Sequence, residues 1–299
     1  MNELRLGIIG LSEGNGHPYS WSAIFNGFDP QEMSRCPFPA IPDYLTRQNF
    51  PDDAIAGARV THVWTQDRAI SEHISRASLV RNVVDRCEDM IGRVDAILLA
   101  RDDAENHYAM SAPFIDAGLP IYIDKPLAIR VEDAEKIYAL ERYQGQIFTC
   151  SALTYAREFK LDEFDLEKLG RLIRIEAFAN KEWAKYGVHV IEPVLNIIGH
   201  QGRITTIRAL RSERGRKVEV TWASGLQTSF STSGRESSPI ELVIIGEKRS
   251  KKLIFRDTFA AFKTALETFV RIVRKQEAVQ SKERVLKIID IIEAGARHE

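Results

Sequence analysis

The chain is poor in cysteine. Its three, Cys36, Cys87 and Cys150, are spread along 299 residues, too few and too scattered for a disulfide framework or a zinc cluster. That pattern fits a reducing compartment. No apolar run approaches the roughly 20 residues that a membrane helix needs. Residues 1–5 lead into a strand pattern without a signal-peptide layout, so the expectation is a cytoplasmic protein with no membrane partner. Charge of one sign is missing too: 41 Lys and Arg against 42 Asp and Glu leave a net charge of -1. Nucleic-acid binding needs clustered positive charge, and the one basic run, Lys248-Arg249-Ser250-Lys251-Lys252, reads as a solvated hairpin tip or loop. Internal repeats, low-complexity tracts and heptads are absent, and no metal site is expected. What remains, 44% hydrophobic and 28% charged residues, is the composition of a soluble globular chain of one large or two ordinary domains.

The first half alternates strand and helix patterns. Residues 4–11 (LRLGIIGL) read as a buried strand ending in glycine, and a helix-like stretch begins near Ser20 and Trp21. Residues 28–58 carry five prolines, Pro30, Pro37, Pro39, Pro42 and Pro51, and read as an irregular insertion with room for short helices. Strands follow at 59–65, 82–84, 95–100, 121–123 and 147–152, with helices at 70–77, 106–117 and 131–143, and Gly118 as a C-cap. Such alternation predicts an α/β fold with a doubly wound parallel sheet. The second half changes character after a helix expected at 158–170. Alternating strands are expected at 171–179, 204–211, 217–223, 226–232 and 240–245, with one further strand at 252–255. Helices are expected at 189–198, 259–274 and 282–296. This predicts an open, mostly antiparallel sheet. The expected division is 1–150 and 151–299, with the last helices packing back on the first domain; the resemblance given below makes the first a Rossmann dinucleotide-binding domain and the second a substrate and oligomerisation domain.

Ligands of open α/β sheets bind at the carboxyl edge, and there stand Asp124-Lys125-Pro126, directly after Ile121-Tyr122-Ile123. Proline fixes φ and lacks an N–H, so the strand must end there and hold the lysine at a corner. A glycine-rich turn, Gly10-Leu11-Ser12-Glu13-Gly14-Asn15-Gly16, lies between the first strand and first helix, where backbone amides and the helix dipole suit a diphosphate. It departs from G-x-G-x-x-G: Ser12 takes the second glycine's place and Glu13 adds a carboxylate. Asp67 is the candidate for an adenosine ribose and Arg68 suits a 2′-phosphate equally, so NAD and NADP both stand.

Three segments resemble the Gfo/Idh/MocA family of NAD(P)-dependent oxidoreductases, which includes glucose–fructose oxidoreductase and inositol dehydrogenases. They are GIIGLSEGNG at 7–16, VDAILLARDDAENHYAMSAPFIDAGLPIYIDKPLA at 94–128, and the run from Tyr186 through Gly187 and His189 to Gly199. The stretch Tyr155-Ala156-Arg157 and Leu169-Gly170-Arg171 are similar to the start of that family's substrate domain. The resemblance implies a Rossmann domain followed by an α/β domain whose sheet often mediates dimers or tetramers. It implies hydride transfer between nicotinamide and a hydroxyl-bearing carbon of a sugar, cyclitol or derivative. It makes Lys125 and His189 the catalytic pair. With the glycine turn and strand ends it makes Gly10, Leu11, Ser12, Gly14, Gly16, Asp67, Ala100, His107, Asp124, Lys125 and Pro126 cofactor residues, and Tyr155, Arg157, Lys185 and His189 substrate residues; His17, Tyr19 and Trp21, which follow the turn, read equally as a wall for the nicotinamide or a sugar and as packing of the loop onto the insertion. Glu182, Trp183 and Asn196 are weaker substrate-side candidates. Three departures stand out: Lys185 where the family has Asp, Arg101-Asp102-Asp103 where a small polar residue and proline are usual, and a shorter chain.

Lysine is a weak base at its free pKa of about 10.4, and a nearby cation or desolvation lowers it; histidine suits proton relay because its free pKa is near neutrality. Lys185 is therefore expected to disfavour protonated His189 and to alter the pH profile or the substrate. A catalytically silent dinucleotide- or sugar-binding protein is the alternative, and a redox-neutral reaction with retained nicotinamide a third.

Overall fold

Short apolar runs bounded by glycine and capping residues build the first sheet. In this computed structural model, which describes residues 2–199, 201–212, 215–234 and 238–297, the chain begins β1 (Leu4–Ile9), α1 (His17–Asn26), α2 (Pro30–Met33), α3 (Ala40–Leu45), β2 (Ala58–Trp64), α4 (Arg68–Ala77) and β3 (Asn82–Val83). It continues with β4 (Ala96–Leu99), α5 (His107–Asp116), β5 (Ile121–Ile123), α6 (Val131–Tyr138) and β6 (Ile147–Phe148). Contact density divides the chain into two units, Met1–Leu127 with Glu135–Thr149 and Phe262–Gln280, and Ala128–Ala134 with Cys150–Ala261 and Ser281–Glu299.

The first unit holds a six-stranded parallel sheet in the order β3-β2-β1-β4-β5-β6, the expected doubly wound sheet. Its central strands are apolar on both faces, as β4 shows with four buried residues of four, because helices cover both sides of a parallel sheet. Local chemistry sets the joints. Asp67 caps α4, accepting from the N–H groups of Ala69 (2.8 Å) and Ile70 (3.4 Å). Gly118, with φ 79°, ends α5.

Several boundaries differ from the sequence reading. α1 starts at His17, not near Ser20, because Pro18 is pre-set for a first helical turn. The 28–58 segment contains α2 and α3. The helix expected to reach Tyr143 ends at Tyr138, and the strand expected to reach Ala152 ends at Phe148, since Ser151 caps a single turn at Ala152–Tyr155. The helix expected at 158–170 is a turn at Arg157–Phe159 followed by α7 (Glu163–Leu169), whose start is set by Asp162 accepting from Asp165 N–H.

The remaining elements are β7 (Leu172–Ala179), α8 (Trp183–Tyr186), α9 (Val188–Ile198), β8 (Ile204–Ser212), β9 (Gly215–Trp222), β10 (Gln227–Thr232), β11 (Glu241–Gly246), β12 (Ser250–Ile254), α10 (Thr258–Val273) and α11 (Lys282–Ala296). The second sheet runs β12-β11-β7-β10-β9-β8 and is antiparallel except for the β7–β10 pair. Period-two alternation decides its faces. Ile175, Ala177, Val218, Val220, Phe230 and Ile244 point into the core of this unit, shared with residues of α9 and α11. The other face carries ion pairs, including Lys217–Glu219 and Lys252–Glu241. The Lys248–Arg249 tip of the β11–β12 hairpin is exposed, as expected, while Lys251 pairs with Asp165. No helix among the described residues is long and apolar enough to cross a membrane.

Trp183 locks α11 in place. Its Nε1 donates to the Ile292 carbonyl at 2.8 Å, and a Cβ on Gly295 would lie 2.3 Å from its ring. Gly295→Ala should therefore cost about 1–3 kcal/mol through overpacking, read as a lower urea midpoint. An unchanged midpoint would contradict this packing.

Candidate active site

At the carboxyl edge of the first sheet, ladder hydrogen bonds continue past the strand ends: Gly10 N–H to Trp64 O (3.0 Å), Ala100 N–H to Ile9 O (2.8 Å) and Asp124 N–H to Leu99 O (3.0 Å). The loops after β1, β4 and β5 thus leave the sheet side by side, and two buried carboxylates tie them together. Asp102 is 6% and Asp124 1% exposed. Ser12 Oγ donates to Asp102 Oδ1 at 2.7 Å, and Asp102 N–H donates back to Ser12 Oγ at 3.1 Å. Lys125 Nζ, also buried, lies 3.4 Å from Asp102 Oδ2. Asp124 accepts from Asn15 Nδ2 (2.8 Å) and from Lys125 N–H (2.8 Å), and holds His17 Nδ1 at 2.6 Å. A buried charge is tolerated when paired and hydrogen-bonded, and each charge here is.

Other residues extend this net. Gln66 grips Leu11 twice, accepting from its N–H at 2.9 Å and donating to its carbonyl at 2.6 Å. Arg101 reaches Gln66 at 3.2 Å and forks onto Asp103, which Asn106 also contacts. Burial would raise the Asp103 carboxyl, but hydrogen bonds from Arg101 and Asn106 outweigh it and hold it below the ordinary carboxylate value. His107 is fully buried, with Nδ1 3.0 Å from Leu127 O and Nε2 2.8 Å from Arg101 O. Both its nitrogens serve the scaffold. Ala100 is fully buried at the end of β4, and Pro126 follows a cis peptide and is buried.

His17 is part-buried and stacks on Trp21, with ring centroids 4.9 Å apart; Trp21 stacks in turn on Tyr122 at 4.8 Å. At 1% exposure, Trp21 is a core residue behind His17.

The glycine turn fits the diphosphate of a dinucleotide. Among the described residues no hydrogen bond uses the N–H of Glu13, Gly14 or Gly16. Gly14 is exposed, has φ 75°, and has nothing within 4 Å of where a Cβ would stand. Unspent backbone donors of this kind suit anionic oxygens, whereas the first turn of α1 adds none: His17 N–H donates to Asn15 Oδ1, Pro18 has no N–H, and Tyr19 and Ser20 N–H both donate to the Gly16 carbonyl. Gly10 and Gly16 answer to packing instead, since a Cβ would fall 2.2 Å from Pro18 Cγ and 2.5 Å from Phe38 Cδ2 respectively. Glu13 is exposed on the loop. Asp67 spends Oδ1 on the α4 cap at the exposed end of β2.

In the second unit, His189 is 8% exposed on α9, its Nδ1 2.8 Å from Ser151 Oγ and its ring edge-on to Tyr186 at 5.2 Å. Ser151 is itself fixed: its N–H donates to the buried Glu192 carboxylate at 2.6 Å. Lys181 donates to Tyr186 Oη at 2.7 Å. Lys185 lies half-buried in the last turn of α8; Tyr155 is half-buried and Arg157 exposed. Glu182 and Asn196 are exposed, and Trp183 is in the core.

Asp102, Asn15, Gln66, Ser151 and Glu192 are not among the candidate site residues read from the sequence, and Asp102 stands there only as a departure from the family pattern. Ser12 and Asp102 are 90 residues apart, and only the parallel strand order signals that their loops adjoin.

Residues 38–151 match the sequence model of an oxidoreductase family with an NAD-binding Rossmann fold. This is the Gfo/Idh/MocA family, so the matched stretch is similar to the family that the sequence resembles. The match begins beyond the glycine turn. Among solved structures, the chain is similar to GenD2 from gentamicin A biosynthesis in complex with NAD (14% identity, 99% of this chain and 94% of that one, TM-score 0.73). It is also similar to myo-inositol 2-dehydrogenase from Lactobacillus plantarum (13%, 99% and 97%, 0.74) and a putative myo-inositol dehydrogenase from Sinorhizobium meliloti 1021 (15%, 98% and 96%, 0.71). At these identities the likeness establishes the fold. No curated protein matches by sequence.

Asp103 carries a pH prediction. A carboxylate held below its unfolded value adds stability above that value, about 3.9, and loses it as pH falls through the lowered one. Asp103→Asn should lower the urea midpoint at pH 7, with the gap to wild type closing below about pH 4. An equal gap at pH 7 and pH 3 would contradict the assignment.

Proposed function

We propose that this protein is an NAD(P)-dependent oxidoreductase that moves a hydride between nicotinamide and a hydroxyl-bearing carbon of a sugar, cyclitol or related small molecule. The observation that carries this reading is the buried Lys125 amine, paired with Asp102 at the sheet edge beside a glycine turn with unspent amides. The bound nicotinamide would supply the hydride acceptor or donor. Glu13, Gly14 and Gly16 would hold the diphosphate through backbone N–H groups, and Asp67 the ribose.

The chain's own residues handle the proton. Lys125, held by Asp102, gives a proton from Nζ to a carbonyl oxygen in the reducing direction and takes one from the hydroxyl in the oxidising direction. His189, oriented by Ser151, is the second proton-handling group in this reading, and His17, oriented by Asp124, a substrate contact. The likeness to inositol dehydrogenases supports a polyol-like substrate. A cytoplasmic homo-oligomer assembled through the second sheet completes the reading. Glu13 on the phosphate loop favours the alternative of a silent dinucleotide-binding protein, because a carboxylate there opposes a diphosphate.

The test is to titrate NAD and NADP by calorimetry, then screen sugars, nucleotide sugars and inositols at the reduced-cofactor absorbance band. Lys125→Met should lower turnover by about 100-fold or more while retaining cofactor binding. Unchanged turnover would remove Lys125 from the chemistry, and binding without turnover on any compound would favour the silent protein.

A further inference from the structure

The corner after β2 carries both an acid and an arginine at the end of a parallel strand. A carboxylate here suits a ribose 2′-hydroxyl, and an arginine beside it suits a 2′-phosphate. The sequence offers both, as Asp67-Arg68. The structure shows Arg68 engaged on two sides: Nε donates to Glu72 Oε1 at 2.8 Å, one turn along α4, and Nη1 to Asp85 Oδ1 at 2.5 Å. Asp85 is held over this corner by the backbone, because Trp64 Nε1 donates to the Asp85 carbonyl at 3.1 Å and so pins the loop after β3 to the end of β2. The next cation, Arg86, has Glu88 at 3.6 Å. Glu72 and Asp85 thus pair with Arg68 and Glu88 with Arg86, three carboxylates on two guanidiniums, and Asp67 adds a fourth carboxylate next to Arg68 in the chain. A 2′-phosphate would bring up to two further negative charges into this group. A cavity of about 310 Å³ lined by Trp64, Asp85, Cys87, Met110 and Pro113 adjoins the corner, offering apolar surface to an aromatic base.

Resting on the proposed cofactor reading, we propose that Glu72 and Asp85 are specificity-determining residues: by occupying Arg68 they keep it from a ribose 2′-phosphate, so the chain takes NAD and rejects NADP. Asp67 accepts the 2′-hydroxyl through the oxygen not spent on the α4 cap. The ion pairs around Arg68 are exposed, with Arg68 at 54%, so each is individually weak. Their effect is on a difference of affinities, where a factor of ten needs little energy.

Calorimetric titration of NAD and NADP, without any substrate, tests this. Wild type should bind NAD, and NADP at least about ten-fold more weakly. Glu72→Gln with Asp85→Asn should narrow that ratio about five-fold or more by strengthening NADP, and adding Arg68→Ala should abolish the gain. Equal or tighter NADP binding by wild type, or a ratio unmoved in the double variant, overturns the assignment of Glu72 and Asp85 and leaves the cofactor reading intact. Binding of neither dinucleotide overturns both.

Discussion

Everything at the carboxyl edge of the first sheet depends on two buried carboxylates. Asp102 and Asp124 sit on loops after β4 and β5, and each reaches the loop after β1, Asp102 through Ser12 and Asp124 through Asn15 and His17. Parallel strands bring three loops together but leave their polar groups to be satisfied by one another. Two acceptor-only groups, each with several lone pairs, do this economically. The same pair sets the state of Lys125: its main-chain N–H is held by Asp124 and its amine by Asp102. Removing one member of such a pair costs about 3–5 kcal/mol, because a buried charge is left alone. The scaffold and Lys125 are therefore one network.

The second unit repeats the device with different residues. Glu192, buried at 2%, fixes Ser151, and Ser151 fixes His189. In both units a buried carboxylate fixes a titratable side chain, directly for Lys125 and His17 and through Ser151 for His189. Second-layer support of this kind keeps a reacting group in one rotamer. Lys185 lies half-buried in the last turn of α8, one residue before Tyr186, whose hydroxyl accepts from Lys181.

The fold was legible in the sequence to a large extent, for physical reasons. Strands such as 96–99 and 242–245 are apolar or alternating over lengths too short for helices, and glycines such as Gly118 punctuate them. Element ends were less legible where a side chain decides them: Pro18 starts α1 early, and Ser151 and Asp162 divert the chain into turns. Lys125 was legible because Pro126 follows it at a strand end. Its partner was not. Arg101-Asp102-Asp103 read only as a departure from the family pattern, although Asp102 holds Lys125 and Arg101 with Asp103 braces the loop through Gln66. Such pairs are long-range in sequence, and no periodicity encodes them. The converse holds for Trp21, which the sequence reading puts among the candidate substrate residues. Its ring fills the core behind His17.

The central claim is that the edge bearing Asp102 and Asp124 is built to receive a dinucleotide on the Gly10–Gly16 turn. Amide hydrogen exchange with and without saturating NAD tests it most directly. The account predicts slowed exchange at Glu13, Gly14 and Gly16, with little change in the second sheet. Unchanged exchange at these three amides in the presence of NAD would contradict it.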